Sequence, residues 1–203
     1  AGYVSMMTCN HDTPRMTLGF DELECKIAYA FLLTMPGVPF IYYGDEIGIQ
    51  YFRLNSVEGG YHRTGTRTPM QWTNGKNLGF STAEKEKLYL PVDERDCAPT
   101  VESQNKDTNS LLNTVRKVLK LRHENPDLQA QPNFEVVYAE KGKYPFVFRR
   151  GQFLIAVNPS WRSVSIPMKL LGESIFQLGH STLENGNLSM KGQSFSIFHM
   201  NSI

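Results

Sequence analysis

Net charge, cysteines and long apolar runs are all scarce in this sequence, and each shortage removes a class of protein. Its 21 Lys and Arg nearly balance 20 Asp and Glu, for a formal charge of +1, so there is no basic field to hold the phosphates of a nucleic acid. No apolar run reaches the roughly eighteen residues needed to cross a bilayer. Neither nucleic acid nor a membrane is therefore expected as a partner. Cys9, Cys25 and Cys97 are the three cysteines, an odd number without the close Cys or His spacing of a zinc site. Neither a disulfide framework nor a metal is expected, and no cofactor either. The thiols are expected to be reduced and mostly buried, which suits a cytoplasmic location. Internal repeats and low-complexity segments are absent too. What is present is ordinary for a globular protein: 203 residues, 40% apolar and 20% charged, with aromatics at 11%. A neutral, polar ligand suits this balance.

The chain opens on Ala1-Gly2-Tyr3 and enters a strand at once, with no charged leader or cleavage site, and so reads as a piece of a longer protein. After that strand, Leu23, Ile27, Ala30 and Phe31 fall at helical spacing, with acidic residues in the first turn and Gly37 and Pro39 as a stop. Val38 to Tyr43 is a continuous apolar and aromatic run, as expected of a strand covered on both faces. Strand, helix and strand together predict a βαβ unit in a parallel sheet. A second helix is expected from about Asn109, carrying Leu111, Leu112, Val115, Val118 and Leu119 inward and closed by Arg122 and His123 before Pro126.

Between the second strand and that helix, residues 44–108 are rich in Gly, Pro, Thr and Asn and far exceed the four to six residues of an ordinary connection. Tyr61, His62, Arg63, Arg67, Gln71 and Trp72 suit it to the rim or lid of a polar pocket. It also reads as an excursion with its own small core, built from Trp72, Phe80, Leu88 and Tyr89. From residue 131 the pattern changes to short alternating runs: Phe134, Val136 and Tyr138, then Phe146 and Phe148, then Phe153, Ile155 and Val157. Val164 and Ile166, Ile175 to Leu178 and Phe195 to Phe198 continue it, with hairpins expected at Asn185-Gly186 and Lys191-Gly192. The fold class expected is α/β plus all-β, with an α/β portion over 1–130 and an antiparallel β-sandwich over 131–203.

Polar chemistry concentrates where the first strand ends. Tyr3-Val4-Ser5-Met6-Met7-Thr8 runs into Asn10-His11-Asp12-Thr13-Pro14-Arg15, which delivers an imidazole, a carboxylate and a guanidinium on one turn. Gly37-Val38-Pro39-Phe40-Ile41-Tyr42-Tyr43-Gly44-Asp45-Glu46-Ile47-Gly48 ends a second strand in a polar turn, and Arg67-Thr68-Pro69-Met70-Gln71-Trp72 lies in the loop beyond. Together these stretches resemble the α-amylase superfamily. Asn10-His11-Asp12 looks like the last of its short catalytic motifs, at the end of barrel strand seven, and the second stretch looks like barrel strand eight. The Arg-Thr-Pro-Met-Gln-Trp run is similar to the branch of α-glucosidases, oligo-1,6-glucosidases and trehalose synthases. That branch commonly has Asp after the Arg matching Arg63, whereas here Thr64 follows.

The resemblance implies the last two βα units of a (β/α)₈ barrel followed by a terminal β domain, and an α-glucoside oligosaccharide as substrate. Glycoside cleavage usually needs an acid and a nucleophile or base, and retaining enzymes hold the two carboxyls about 5 Å apart. The family's nucleophilic Asp and acid/base Glu belong to strands four and five, so this piece is expected to be inert without the rest. Asp12 takes the place of a third carboxylate that holds sugar hydroxyls and favours the transition state. His11, Arg15, Arg67 and Gln71 are the candidate substrate-binding residues, with Arg15 equally readable as a loop anchor. Asp45 and Glu46 read as polar anchors at the rim, since neighbours on a strand face opposite ways. Open strand edges should be covered by the rest of the barrel or by a second copy. A different class of function stays open, an amylase-like scaffold that binds carbohydrate or assembles without catalysis.

Overall fold

The computed structural model describes residues 2–54, 62–131 and 133–200. Tyr61 lies outside the described residues, and His62 is described by its backbone alone. Two compact units result: one of residues 1–6, 26–38 and 118–203, the other of residues 7–25 and 39–117.

Strand β1 (Ser5–Met7) and strand β2 (Val38–Phe40) are hydrogen-bonded neighbours, joined through helix α1 (Glu22–Thr34). The Val38 N–H donates to the Val4 carbonyl at 2.9 Å. Helix α1 starts where Asp21 and Glu24 exchange bonds, each side chain accepting the other's backbone N–H at 2.9 Å. This reciprocal cap satisfies two of the N–H groups a helix start leaves free. The chain turns out of α1 at Gly37, whose φ of +97° and close approach to the Val4 carbonyl leave no room for a Cβ. The expectation that the second strand is covered on both faces is corrected: Val38 is 41% and Phe40 54% exposed. Exposure alternates along both strands, so one row of side chains has partial cover and the other has none among the described residues.

Two arginines hold the end of α1. Helix α3 (Leu111–Glu124) buries Leu111, Leu112, Val115 and Val118, as its periodicity predicts, leaves Leu119 only half-buried, and buries Arg122 as well. Arg122 donates to the carbonyls of Leu33, Met35 and Gly37 at 2.6 to 2.8 Å, so it closes α1 as well as its own helix. Arg150 is fully buried and donates to the carbonyls of Thr34, Gln129 and Gln131 and to Asn133 Oδ1. Burial, and then the charge of Arg122, push the Arg150 pKa down to about 10, still a cation at neutral pH.

Antiparallel strands fill the last third of the chain. Strands β3 (Glu135–Tyr138), β4 (Phe146–Arg150), β5 (Phe153–Asn158), β7 (Gly172–Leu178) and β10 (Ser194–Met200) form a sheet in the order β3-β4-β5-β10-β7. Strands β6 (Val164–Pro167), β8 (Ser181–Glu184) and β9 (Asn187–Met190) form a second, in the order β6-β9-β8. Val147, Leu154, Ala156 and Phe198 of the first sheet pack against Ile166, Leu183, Leu188 and Met190 of the second. On the first sheet's other side, Phe31 of α1 meets Phe146 and Phe148 edge-on at 6.3 and 6.0 Å. All six residues of β5 are consequently buried instead of alternating.

The Asn185-Gly186 hairpin is as expected, both residues having positive φ in a two-residue loop. The Lys191-Gly192 expectation is corrected. That segment is no hairpin, because β9 and β10 belong to different sheets and it crosses between them.

Residues 44–108 contain helix α2 (Val101–Lys106), capped by Thr100 in a box with Ser103. The small core expected of Trp72, Phe80 and Tyr89 is corrected as well: they are 49%, 49% and 71% exposed. Ile47, Ile49 and Leu112 are buried together instead, with Met70 and Val101 against them.

Candidate active site

Asn10 shapes the turn beyond β1. Its side-chain oxygen accepts the Asp12 N–H at 2.8 Å, and its own N–H donates to Thr13 Oγ1 at 3.0 Å. Such an Asx turn holds the backbone without a helix or strand to do so. His11 and Asp12 project from it side by side, with His11 Nε2 3.2 Å from Asp12 Oδ2.

Two guanidinium groups close on the same carboxylate. Arg63 Nη1 lies 3.3 Å and Arg67 Nη2 3.0 Å from Asp12 Oδ1, and Arg67 Nε donates to the His11 carbonyl at 3.0 Å. Thr66 Oγ1 donates to the Thr13 carbonyl, pinning the short 3₁₀ segment His62–Thr66 to the turn. Gly65 permits this seat, since a Cβ there would collide with the Phe52 backbone carbonyl. The Asp12 side chain is nevertheless half exposed. Desolvation acts to raise its pKa, but His11, Arg63 and Arg67 outweigh it and hold the carboxyl below its ordinary value. The turn thus presents a half-exposed carboxylate that is ionised at neutral pH and ringed by hydrogen-bond donors. A polyhydroxylated ligand is suited to that arrangement, because an ionised acceptor makes stronger bonds to hydroxyls than a neutral one.

Arg15 lies elsewhere. It is 1% exposed, and Nη1 donates to the Tyr43 carbonyl at 2.8 Å and to Asp45 Oδ1 at 2.9 Å. Its guanidinium carbon sits 5.2 and 5.1 Å from the Tyr42 and Tyr43 ring centres, a cation–π arrangement that compensates for Nε and Nη2 having no hydrogen-bond partner among the described residues. Asp45 Oδ2 accepts from Cys9 Sγ at 2.7 Å and Thr8 Oγ1 at 3.2 Å. Of the two readings of Arg15, the geometry matches the loop anchor, and Asp45 is its counterpart. Gly44, at φ +84°, lets the chain bend tightly there, and a Cβ on it would meet Ile49 and Arg15. Burial, with the Asp45 hydrogen bond, pushes the Cys9 thiol far above its usual range, and burial pushes Cys25 up to about 12. Both thiols therefore stay protonated at neutral pH; all three cysteines are free and Cys97 is exposed. Glu46 is also pushed up by desolvation, and its buried Oε2 has no hydrogen-bond partner among the described residues.

Gln71 is buried and donates to the Pro99 carbonyl beside the start of α2. The structure therefore brings His11, Asp12 and Arg67 together and places Arg15 and Gln71 in supporting positions. Arg63, which the sequence places only on the rim of the loop, joins the site because its segment folds onto the turn. Among the described residues, no group of three or more His, Cys, Asp or Glu could hold a metal ion. No described helix is long and apolar enough to cross a membrane.

A family model for the catalytic domain of α-amylase matches residues 1–131. The chain belongs to the α-amylase family. Among its relatives, the trehalose synthase/amylase TreS of Mycobacterium tuberculosis (strain ATCC 25618 / H37Rv) is 41% identical over 110 residues, covering 52% of this chain and 18% of that protein. The salivary α-glucosidase of Aedes aegypti is 28% identical over 181 residues, covering 80% of this chain and 30% of that protein. In fold, the α-amylase-family chain matches the isomaltulose synthase of Erwinia rhapontici NX5 with a TM-score of 0.82 at 20% identity, over 99% of this chain and 43% of that one. The chain thus spans a third or less of the length of these two curated relatives.

Proposed function

We propose that this chain is the C-terminal part of a retaining α-glucoside-processing enzyme. Residues 1–130 would supply the last two βα units of a (β/α)₈ barrel and residues 131–203 the terminal β domain. The reading is supported by the family match over residues 1–131 and by β1, α1 and β2 forming a strand–helix–strand connection. The observation that carries it is the half-exposed Asp12 carboxylate, kept ionised by His11, Arg63 and Arg67. In this role Asp12 binds hydroxyls of the sugar at the reacting centre and gains strength as that ring distorts towards the oxocarbenium-like state. His11 and Arg67 orient both the carboxylate and the sugar, while Arg15 and Gln71 steady the segments that present them. The nucleophile and the acid/base belong to the part of the relatives that this chain does not span. The three free thiols support the cytoplasm as its compartment.

In the full-length parent, Asp12→Asn is expected to lower kcat/KM for a maltose-type substrate by at least about a hundredfold, roughly 2.7 kcal/mol of transition-state stabilisation. Unchanged kinetics would remove Asp12 from the site. A parent that binds maltooligosaccharides without turning them over would point to a non-catalytic amylase-like scaffold.

A further inference from the structure

Arg67 touches the turn beyond β1 twice, through Nη2 to Asp12 Oδ1 and through Nε to the His11 carbonyl, both at 3.0 Å. Its side chain is nevertheless 32% exposed. An ion pair so open to water holds weakly by itself, because solvent screens it and a long side chain must be ordered to make it. What steadies this one lies in the backbone on either side. Thr66 and Thr68 are both buried. Thr66 Oγ1 donates to the Thr13 carbonyl at 2.9 Å, and the Thr68 carbonyl accepts from the Tyr43 hydroxyl at 2.9 Å. Arg67 is thus strung between two tethers, one on the turn itself and one on the chain that follows β2.

We propose that Tyr43 is a positioning residue for the Asp12 site, its hydroxyl holding the backbone beside Arg67 so that this guanidinium stays on the Asp12 carboxylate. The catalytic meaning of that assignment rests on the function proposed above. Tyr43 can serve as a post because its other end is fixed. Its carbonyl accepts from Arg15 Nη1 at 2.8 Å, and its ring centre lies 5.1 Å from the Arg15 guanidinium carbon. Arg15 is in turn locked on Asp45 at 2.9 Å with both side chains buried. The buried pair is therefore connected to the exposed carboxylate through Tyr43, Thr68 and Arg67.

A neighbouring cavity shows what the tether prevents. Tyr43 and Arg67 share the wall of an open cavity of about 230 Å³ with Met70, Phe80, Leu88 and Tyr89. A guanidinium released from Asp12 has room to turn into it, among aromatic rings whose faces attract a cation. Tyr43→Phe removes one oxygen and keeps the ring beside Arg15, so the anchor survives while the Thr68 carbonyl loses its donor.

The test is an NMR titration of the Asp12 carboxyl in the full chain, comparing wild type, Tyr43→Phe, Arg67→Met and the double variant. His11 and Arg63, the other charged groups that face Asp12 among the described residues, are kept in all four. Tyr43→Phe is expected to raise the midpoint, by less than Arg67→Met does, and the double variant to match Arg67→Met alone, as required if Tyr43 acts through Arg67. Thr17→Val, which removes a comparable bond from Thr17 Oγ1 to the Ile49 carbonyl, is expected to lower Tm without moving the midpoint. In wild type, a nuclear Overhauser contact between the Tyr43 ring and Thr68 Hα is expected, a readout that needs no variant to fold. An unmoved midpoint in Tyr43→Phe overturns the proposal, as does an equal shift in Thr17→Val, full additivity in the double variant, or absence of the Tyr43–Thr68 contact. In the parent, Tyr43→Phe should lower kcat/KM about fivefold, with no further loss when added to Asp12→Asn. Normal turnover in the Asp12→Asn parent would sink the catalytic reading alone, since the coupling is measured on this chain without substrate.

Discussion

Asp12 takes its character from three neighbours that the sequence scatters over more than fifty positions. His11 beside it is read directly from the motif, and Arg67 from the Arg-Thr-Pro-Met-Gln-Trp run, but Arg63 becomes visible only when the segment before that run folds onto the turn. A titration should reveal the arrangement. The folded-state pKa is lowered, so the clasp is fully formed above the ordinary Asp value and is lost as pH falls through the lower folded one. An NMR titration of the Asp12 carboxyl should therefore give a midpoint below about 3.9, and Arg63→Met should raise it. A wild-type midpoint at or above the ordinary value would mean that the cations do not engage it in solution. Arg15 shows the limit of motif reading. Its place on the turn suggested either a ligand or an anchor, and only the Tyr42 and Tyr43 rings and the Asp45 carboxylate around it distinguish them.

At the scale of elements, α1 and α3 were legible because each is long enough to repeat its apolar spacing. Helix α2 was not, since six residues, VESQNK, carry no such repeat and depend on the Thr100 cap. The Lys191-Gly192 turn was misread for a related reason: a turn signal marks a change of direction, and the choice between pairing back and crossing to another sheet is made by packing. Arg122 is the clearest case of a role set by packing. Its position in the last turn of α3 reads as a helix-end charge, yet it serves three carbonyls at the end of α1. Arg122→Met keeps much of the buried stem but leaves those acceptors without their donor, a loss of about 3 kcal/mol or more. Thermal unfolding should show a Tm lowered by roughly 6 °C or more, whereas a change within a degree would mean water replaces the guanidinium at no cost.

At the scale of the molecule, a run of exposed apolar side chains lies on and beside the two strands that lead to the site. Tyr3, Val4 and Met7 in and before β1, and Val38, Phe40, Ile41 and Tyr43 in and after β2, are all at least 36% exposed. A two-stranded sheet with bare edges invites pairing, and the expectation that either the rest of a barrel or a second copy covers it follows from these residues. Light scattering on this chain alone should therefore report dimers or larger species. A well-dispersed monomer would show that the exposed strands tolerate water.

The family match stops at residue 131, and that point invites a cut for anyone wishing to express the amylase-like segment by itself. Such surgery would remove Arg150, whose single guanidinium serves three carbonyls on the retained side of the cut line, at Thr34, Gln129 and Gln131. It would also strip Phe31 of the two rings it rests on. The shortened product is expected to lose the end of its first helix, so the β sheets belong in any version of the protein meant to be handled in solution.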